Sequence, residues 1–379
     1  MLRKVGVIFV VLSATACASP SKESDKGISI PCEVQNEYGA IGCGKVPLSL
    51  KEDVSQKFKE VCPIDLETNP DRTLACLKEN KDNPVEAYRL GNLEFYGHHV
   101  EQNIQNGLEL IQFSVGNNYP EAMLWLAKFY EAQKEYNKSL TLIKDAAELG
   151  NPLAMYSLGF RYSKGIGVTA NKELTFKWLN MSKDYVPASY TEMATLYFEN
   201  GDVEKFIEYN EKARSKKYWF ADVELAILAL GQVSGYENYQ DLKKAEKYAQ
   251  ELITNKVAVG YAIKAQTLSM MSNNKPNSEI CTLYKKAFDG GYHSAGINLG
   301  AEYLTGDNCN KDFYKAFSIF DNLYKNTVGD VKVLAAVNLG TIYLNGLGVT
   351  RDLNKSKEYL QYAANVGYPP AIDMLNLLN

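Results

Sequence analysis

The sequence predicts an all-α solenoid of antiparallel helical hairpins, and three observations carry that prediction. The first is a recurring frame. "AMYSLGFRYSKGIGV" from Ala154, "AGINLGAEYLTGDNC" from Ala295 and "AAVNLGTIYLNGLGV" from Ala335 share the pattern A-x-x-x-L-G-x-x-Y-x-x-G. Ala, Leu and Tyr fall four residues apart, on one face of a helix, and the glycine beside Leu lets a second helix approach closely. The second is an amphipathic segment after the loop, as in "LNKSKEYLQYAANVG" from Leu353 and "YNKSLTLIKDAAELG" from Tyr136. Its apolar residues recur at three- and four-residue steps, Lys and Glu fill the other face, and a glycine ends the run. The third is the interval. The leucine slot is occupied by Leu90, Leu126, Leu158, Met193, Leu225, Lys264, Leu299, Leu339 and Leu375, which are 32 to 40 residues apart. About eight hairpins and a final capping helix therefore span 84–379. One hairpin cannot bury its apolar face, so neighbours stack to close a continuous core.

The stretch "LGTIYLNGLGVTRDLNKSKEYLQYAANVG", Leu339 to Gly367, holds the motif LGxxYxxGxGVxxDxxKxxxxLxxAAxxG almost whole. On these residues the chain resembles the Sel1-like repeat, a relative of the tetratricopeptide repeat with a glycine-containing loop between its helices. Residues 122–150, 189–215 and 221–253 are looser and more tetratricopeptide-like, and the pattern covers roughly three quarters of the chain. The resemblance implies a right-handed superhelix and an adaptor that binds proteins.

The elements before the repeats follow in order. "MLRKVGVIFVVLSATACASP" joins Arg3 and Lys4 to a short apolar run and then small residues, so 1–16 reads as a secretory signal. "LSATAC" resembles a bacterial lipobox, with Cys17 as the lipid attachment site, although Ala14 stands where leucine is favoured. Ala18 follows in place of the aspartate of inner-membrane lipoproteins, which points to the outer membrane and a periplasmic location. Residues 17–48 read as an irregular tether. Residues 49–83 hold two segments, "LSLKEDVSQKFKEVC" and "DRTLACLKEN", expected to be helices of an N-terminal cap. Six cysteines remain besides Cys17. The simplest pairing joins Cys32 with Cys43, Cys62 with Cys76 and Cys281 with Cys309, one of fifteen connectivities that an even count allows.

The composition excludes some chemistries. Removing Arg3 and Lys4 with the signal leaves 39 basic residues against 45 acidic, a net charge near −6, so nothing attracts a nucleic acid. G-x-G-x-x-A at Gly165, Gly167 and Ala170 partly matches a dinucleotide fingerprint, but a helix rather than a strand precedes it. "SNNK", Ser272 to Lys275, fits the S-x-x-K of penicillin-recognising enzymes without the companion motifs. His98 and His99 are adjacent, but no C-x-x-C accompanies them and no metal or cofactor is expected. The chain reads as a non-enzyme.

Its unusual feature is aromatic content, with 26 Tyr, 14 Phe and 3 Trp. Counting from the alanine slot, positions two, three, six and nine leave the buried stripe and turn to the expected inner surface. In the first four repeats they hold Tyr88, Phe95, Trp125, Tyr156, Phe160 and Phe198. These form a candidate protein-binding groove, or else pack on the second helix of their own repeat. Together with the family resemblance, the expected function is a membrane-anchored periplasmic scaffold for envelope machinery. The alternatives are an immunity protein that neutralises a phospholipase-type toxin of type VI secretion, and a cysteine-rich penicillin-binding relative.

Overall fold

The computed structural model describes residues 47–273 and 275–378. Cys17, Cys32 and Cys43, and with them the expected lipid site, the Cys32–Cys43 pair and most of the tether, lie outside the described residues. Those described residues are all-helical, in two compact units that meet in sequence at Tyr218 and Trp219. No helix among them is long and apolar enough to cross a membrane.

In the first unit, α1 (Glu52–Lys57) and α2 (Pro70–Glu79) precede four hairpins. These are α3 (Pro84–Tyr96) with α4 (Ile104–Gly116), α5 (Pro120–Ala132) with α6 (Tyr136–Glu148), α7 (Pro152–Lys164) with α8 (Lys172–Ser182), and α9 (Ala188–Glu199) with α10 (Val203–Ser215). The second unit contains α11 (Trp219–Ala229) with α12 (Leu242–Thr254), α13 (Val259–Met271) with α14 (Ser278–Asp289), α15 (Ser294–Thr305) with α16 (Phe313–Asn326), α17 (Gly329–Asn345) with α18 (Leu353–Asn365), and a single α19 (Pro369–Leu378). Within each unit the hairpin helices pack mainly on their sequence neighbours, which is the α-solenoid arrangement expected from the repeats.

The frame glycine does what its position suggests. A Cβ on Gly91 would stand 2.7 Å from the Gly107 carbonyl oxygen, and one on Gly340 2.7 Å from Leu360. What faces the glycine on the second helix varies: another glycine, Gly107, lies opposite Gly91, whereas Gly159, Gly300 and Gly340 face the side chains of Leu179, Phe320 and Leu360. Ser356 donates its hydroxyl to the Gly340 carbonyl at 2.8 Å, so a polar side chain is accommodated at the closest approach.

The loop that resembled a dinucleotide fingerprint is a helix-to-helix turn. Gly165 and Gly167 have φ of 68° and 70°, Gly346 and Gly348 67° and 72°, and in the first repeat His99 takes the second slot at φ 59°. The turn is closed when the cap residue of the second helix returns its N–H to the tyrosine slot: Asn171 to the Tyr162 carbonyl and Asp352 to that of Tyr343, both at 3.0 Å. Asp352 Oδ1 then accepts from the Lys355 N–H at 3.0 Å, capping α18.

The stretch 48–62 is less helical than its sequence suggested. Only α1 forms, and a disulfide joins Cys62 to Cys76. The fully buried Glu86 carboxylate accepts from the Val61 N–H at 2.6 Å and the Cys62 N–H at 3.1 Å, taking up donors that a longer helix would have turned inward. Arg89 bridges Glu86 and Glu60, so this buried acid is paired.

Candidate protein-binding face

The first helices of the first unit lie beside one another, as three sets of side-chain contacts show. Phe95 on α3 meets Trp125 on α5 edge-on, with ring centroids 4.8 Å apart. Arg161 on α7 pairs with Glu131 on α5. Glu192 on α9 receives Lys164 Nζ and the Ser163 hydroxyl from α7, both at 2.7 Å.

The most developed feature on these helices is an aromatic cluster. Trp125 and Phe129, four residues apart on α5, lie nearly parallel with centroids 5.8 Å apart and an interplanar angle of 12°. Phe95 stands edge-on to both, and Tyr96 packs on Phe95 at 5.0 Å while remaining 51% exposed. Phe95, Trp125 and Phe129 are half-buried. Each edge-to-face or offset contact contributes about 0.5–1.5 kcal/mol beyond burial, so the rings hold one another in place and present a set surface rather than four independent rotamers.

Polar groups lie at the margin. Tyr119 donates its hydroxyl to Glu121 at 2.8 Å, and the Tyr88 ring packs on that of Tyr119 at 5.6 Å. Burial, reinforced by the Glu121 charge, pushes both phenols well above the usual tyrosine range, so both stay protonated as donors. Further along, Ser139 donates its hydroxyl to Glu131 at 2.7 Å, on the same carboxylate that meets the nearly buried Arg161.

The six residues singled out in sequence have separate fates. Phe95 and Trp125 join the cluster, and Tyr88 lies against the core beneath it, with Trp125. Phe160 is half-buried with Lys164 Nζ 5.7 Å from its ring, and neighbouring Tyr156 is buried. Phe198 packs on Phe206 of the second helix in its own hairpin, with centroids 5.0 Å apart. Phe129 and Tyr96 were not among the positions read as facing outward. The signal for Phe129 was its i, i+4 spacing from Trp125, which makes the two neighbours on any helix.

Elsewhere, Ser272 of the S-x-x-K stretch gives its hydroxyl to the Ser269 carbonyl at 3.0 Å, as a helix-end residue does. His98 lies beside Tyr96, with centroids 5.8 Å apart. Among the described residues no three His, Cys, Asp or Glu side chains are grouped to hold a metal ion. The second disulfide, Cys281–Cys309, ties α14 to the loop before α16.

Comparison with known proteins agrees with this architecture. The Sel1 repeat family model matches residues 87–118, 152–184, 294–321 and 333–368. A crystal structure of a Sel1 repeat protein from Oxalobacter formigenes is similar over 87% of this chain and 100% of its own, at 19% identity and a TM-score of 0.52. A protective antigen of uropathogenic Escherichia coli displaying an SLR fold aligns over 81% of this chain and 75% of its own, at 18% identity and a TM-score of 0.42. From the four matched segments and the hairpin stack, the chain carries Sel1 repeats within an α-solenoid fold.

Proposed function

We propose that this chain is a protein-binding scaffold of the bacterial cell envelope, carried on the periplasmic side of the outer membrane by lipid on Cys17, and that its partner docks on the aromatic face of α3 and α5. Sel1-repeat proteins generally mediate protein–protein interaction, and their fold is typically a non-enzymatic scaffold. The observation that carries the choice of face is the ring cluster of Phe95, Tyr96, Trp125 and Phe129. Large aromatic side chains left half-exposed and already ordered lose little entropy on binding, and such residues dominate interface energetics. The envelope location rests on the N-terminal signal, the cysteine at its end and the polar tether in the sequence.

The test is affinity capture from detergent-solubilised membranes with the wild type and with Trp125→Ala/Phe129→Ala. A partner recovered by the wild type and lost by the variant, with unchanged thermal unfolding of both proteins, supports the reading. Equal recovery moves the docking site elsewhere on the chain. Cys17→Ser reports on the anchor separately, through release of the protein into the soluble fraction. A captured phospholipase-type toxin makes the chain an immunity protein rather than a scaffold.

A further inference from the structure

The segment that leads into α1 runs as a strap across a turn between two hairpins, and that turn has a counterpart near the other end of the chain that no described residue covers. In the first unit the turn is Leu149–Gly150–Asn151–Pro152, between α6 and α7. Asn151 Nδ2 donates to the Leu48 carbonyl at 2.9 Å, the Ser49 hydroxyl to the Leu149 carbonyl at 2.6 Å, and the Leu50 N–H to the Gly150 carbonyl at 2.8 Å. Gly150 has φ of 90°, and a Cβ there would stand 2.6 Å from Ser49 Oγ and 3.2 Å from the Lys51 nitrogen. The missing side chain is the space the strap fills. Ser49 and Gly150 are both buried by the arrangement, and Leu48 packs beside Leu149.

The turn Val366–Gly367–Tyr368–Pro369, between α18 and α19, repeats this geometry in the second unit. Gly367 has φ of 82°. The N–H groups of Gly150 and Asn151 bond to the Ala147 and Ala146 carbonyls at 3.0 and 3.1 Å, and those of Gly367 and Tyr368 to the Ala364 and Ala363 carbonyls at 2.9 and 3.1 Å. Here, however, no described residue stands within 4 Å of where a Gly367 Cβ would be, and Val366, the counterpart of Leu149, is 59% exposed. The similar turn at Gly291 has Gly290 in the leucine position and so offers no apolar contact.

From this match we infer that the α18–α19 turn is a binding site for a non-helical segment of a partner protein in which a serine stands between two apolar residues, as Ser49 does between Leu48 and Leu50. The serine hydroxyl donates to the Val366 carbonyl, the next backbone N–H donates to the Gly367 carbonyl, and the preceding apolar side chain covers Val366. The hydrogen bond supplied by Asn151 has no equivalent, because Tyr368 packs its ring into the core with Leu360 and Ala371. The selectivity for serine follows from the space: a bulkier side chain cannot sit over the glycine at the distance that Ser49 keeps. This site is separate from the aromatic face, and its test is independent of that reading.

The probe is a labelled peptide of the strap sequence PLSLKEDVSQK, carrying a photoreactive group at the second leucine and titrated onto the full-length protein. Saturable binding with crosslinks at 366–369 is the expected result. Gly367→Asn fills the space while keeping the left-handed turn, as Asn118 does at the matching position with φ of 63°. It weakens binding by at least about tenfold with thermal unfolding unchanged, and replacing the peptide serine by valine has the same effect. Absence of saturable binding, equal affinity for Gly367→Asn, or crosslinks confined to 149–151, which mark exchange with the chain's own strap, each overturn the inference.

Discussion

At the scale of single residues, the frame glycines differ in what opposes them, and that difference is measurable. A Cβ on Gly300 meets first the ring of Phe320, at 2.5 Å, and a ring can shift; a Cβ on Gly91 meets first the Gly107 carbonyl oxygen, at 2.7 Å, which is backbone. Gly91→Ala is therefore the more damaging change, with a cost of about 2–3 kcal/mol net of the roughly 1 kcal/mol that alanine gains in a helix. Urea unfolding of the two variants checks the order. Glu302 supplies a second residue-scale prediction. It is nearly buried, accepts from the Asn308 backbone N–H and side-chain amide at 3.1 and 2.9 Å, and burial raises its pKa above the usual carboxylate value. A carboxyl with a raised folded pKa is charged against its surroundings at neutral pH, so it penalises the fold above that pKa and the penalty is relieved as pH falls through it. The wild type should accordingly gain stability relative to Glu302→Gln as pH is lowered from about 7 through the carboxylate range. An unfolding series in which the difference between the two proteins does not change with pH contradicts this.

At the scale of the element, one device recurs at the start of the second helices. Asp202 accepts from the Lys205 N–H at 3.1 Å, Lys205 Nζ returns to Asp202 at 3.3 Å, and the same Nζ lies 4.8 Å from the Tyr197 ring of the preceding helix. Asp312, Lys315 and Tyr303 repeat it, and Lys355 lies over Tyr343 at 5.1 Å. The cap thus also fixes a lysine against the tyrosine whose carbonyl closes the loop. Asp202→Ala should cost about 1 kcal/mol, and Lys205→Met, which keeps the cap, about half as much, by urea unfolding. Some of this was legible in the sequence and some was not. A capping aspartate ahead of a periodic run is a local signal, and Asp352 stands directly before the run that begins at Leu353. Lys355 looked like a plain solvent-facing residue, because its contact with Tyr343 depends on how the glycine loop returns the chain. The hairpins were legible for a related reason: a frame repeated at near-constant spacing reports local packing many times over. The aromatic cluster was half legible, since which ring faces which depends on the seating of α3 against α5.

At the scale of the whole molecule, a disulfide and the strap join segments farther apart in sequence than the two helices of one hairpin. Cys281–Cys309 closes a segment of 28 residues within the second unit. By loop entropy it contributes up to about 3.5 kcal/mol. A Cys281→Ser/Cys309→Ser variant should lower the urea midpoint of that unit accordingly, and addition of reductant should shift the wild type to the same midpoint. The strap is the longer-range contact and left no pattern to read, because four residues with one serine have no periodicity and their partner is 100 residues away. It also imposes an order in time. During synthesis Ser49 is made about 100 residues before the carbonyl that receives its hydroxyl, a delay of roughly 5–20 s at ordinary elongation rates. The first two hairpins must therefore emerge and pack while the segment that clamps them has nowhere to attach. A nascent chain stopped short of Gly150 is expected to be cut by protease near α1, and one extended past α7 to be protected there, so the strap is secured only after the two hairpins that follow it in sequence.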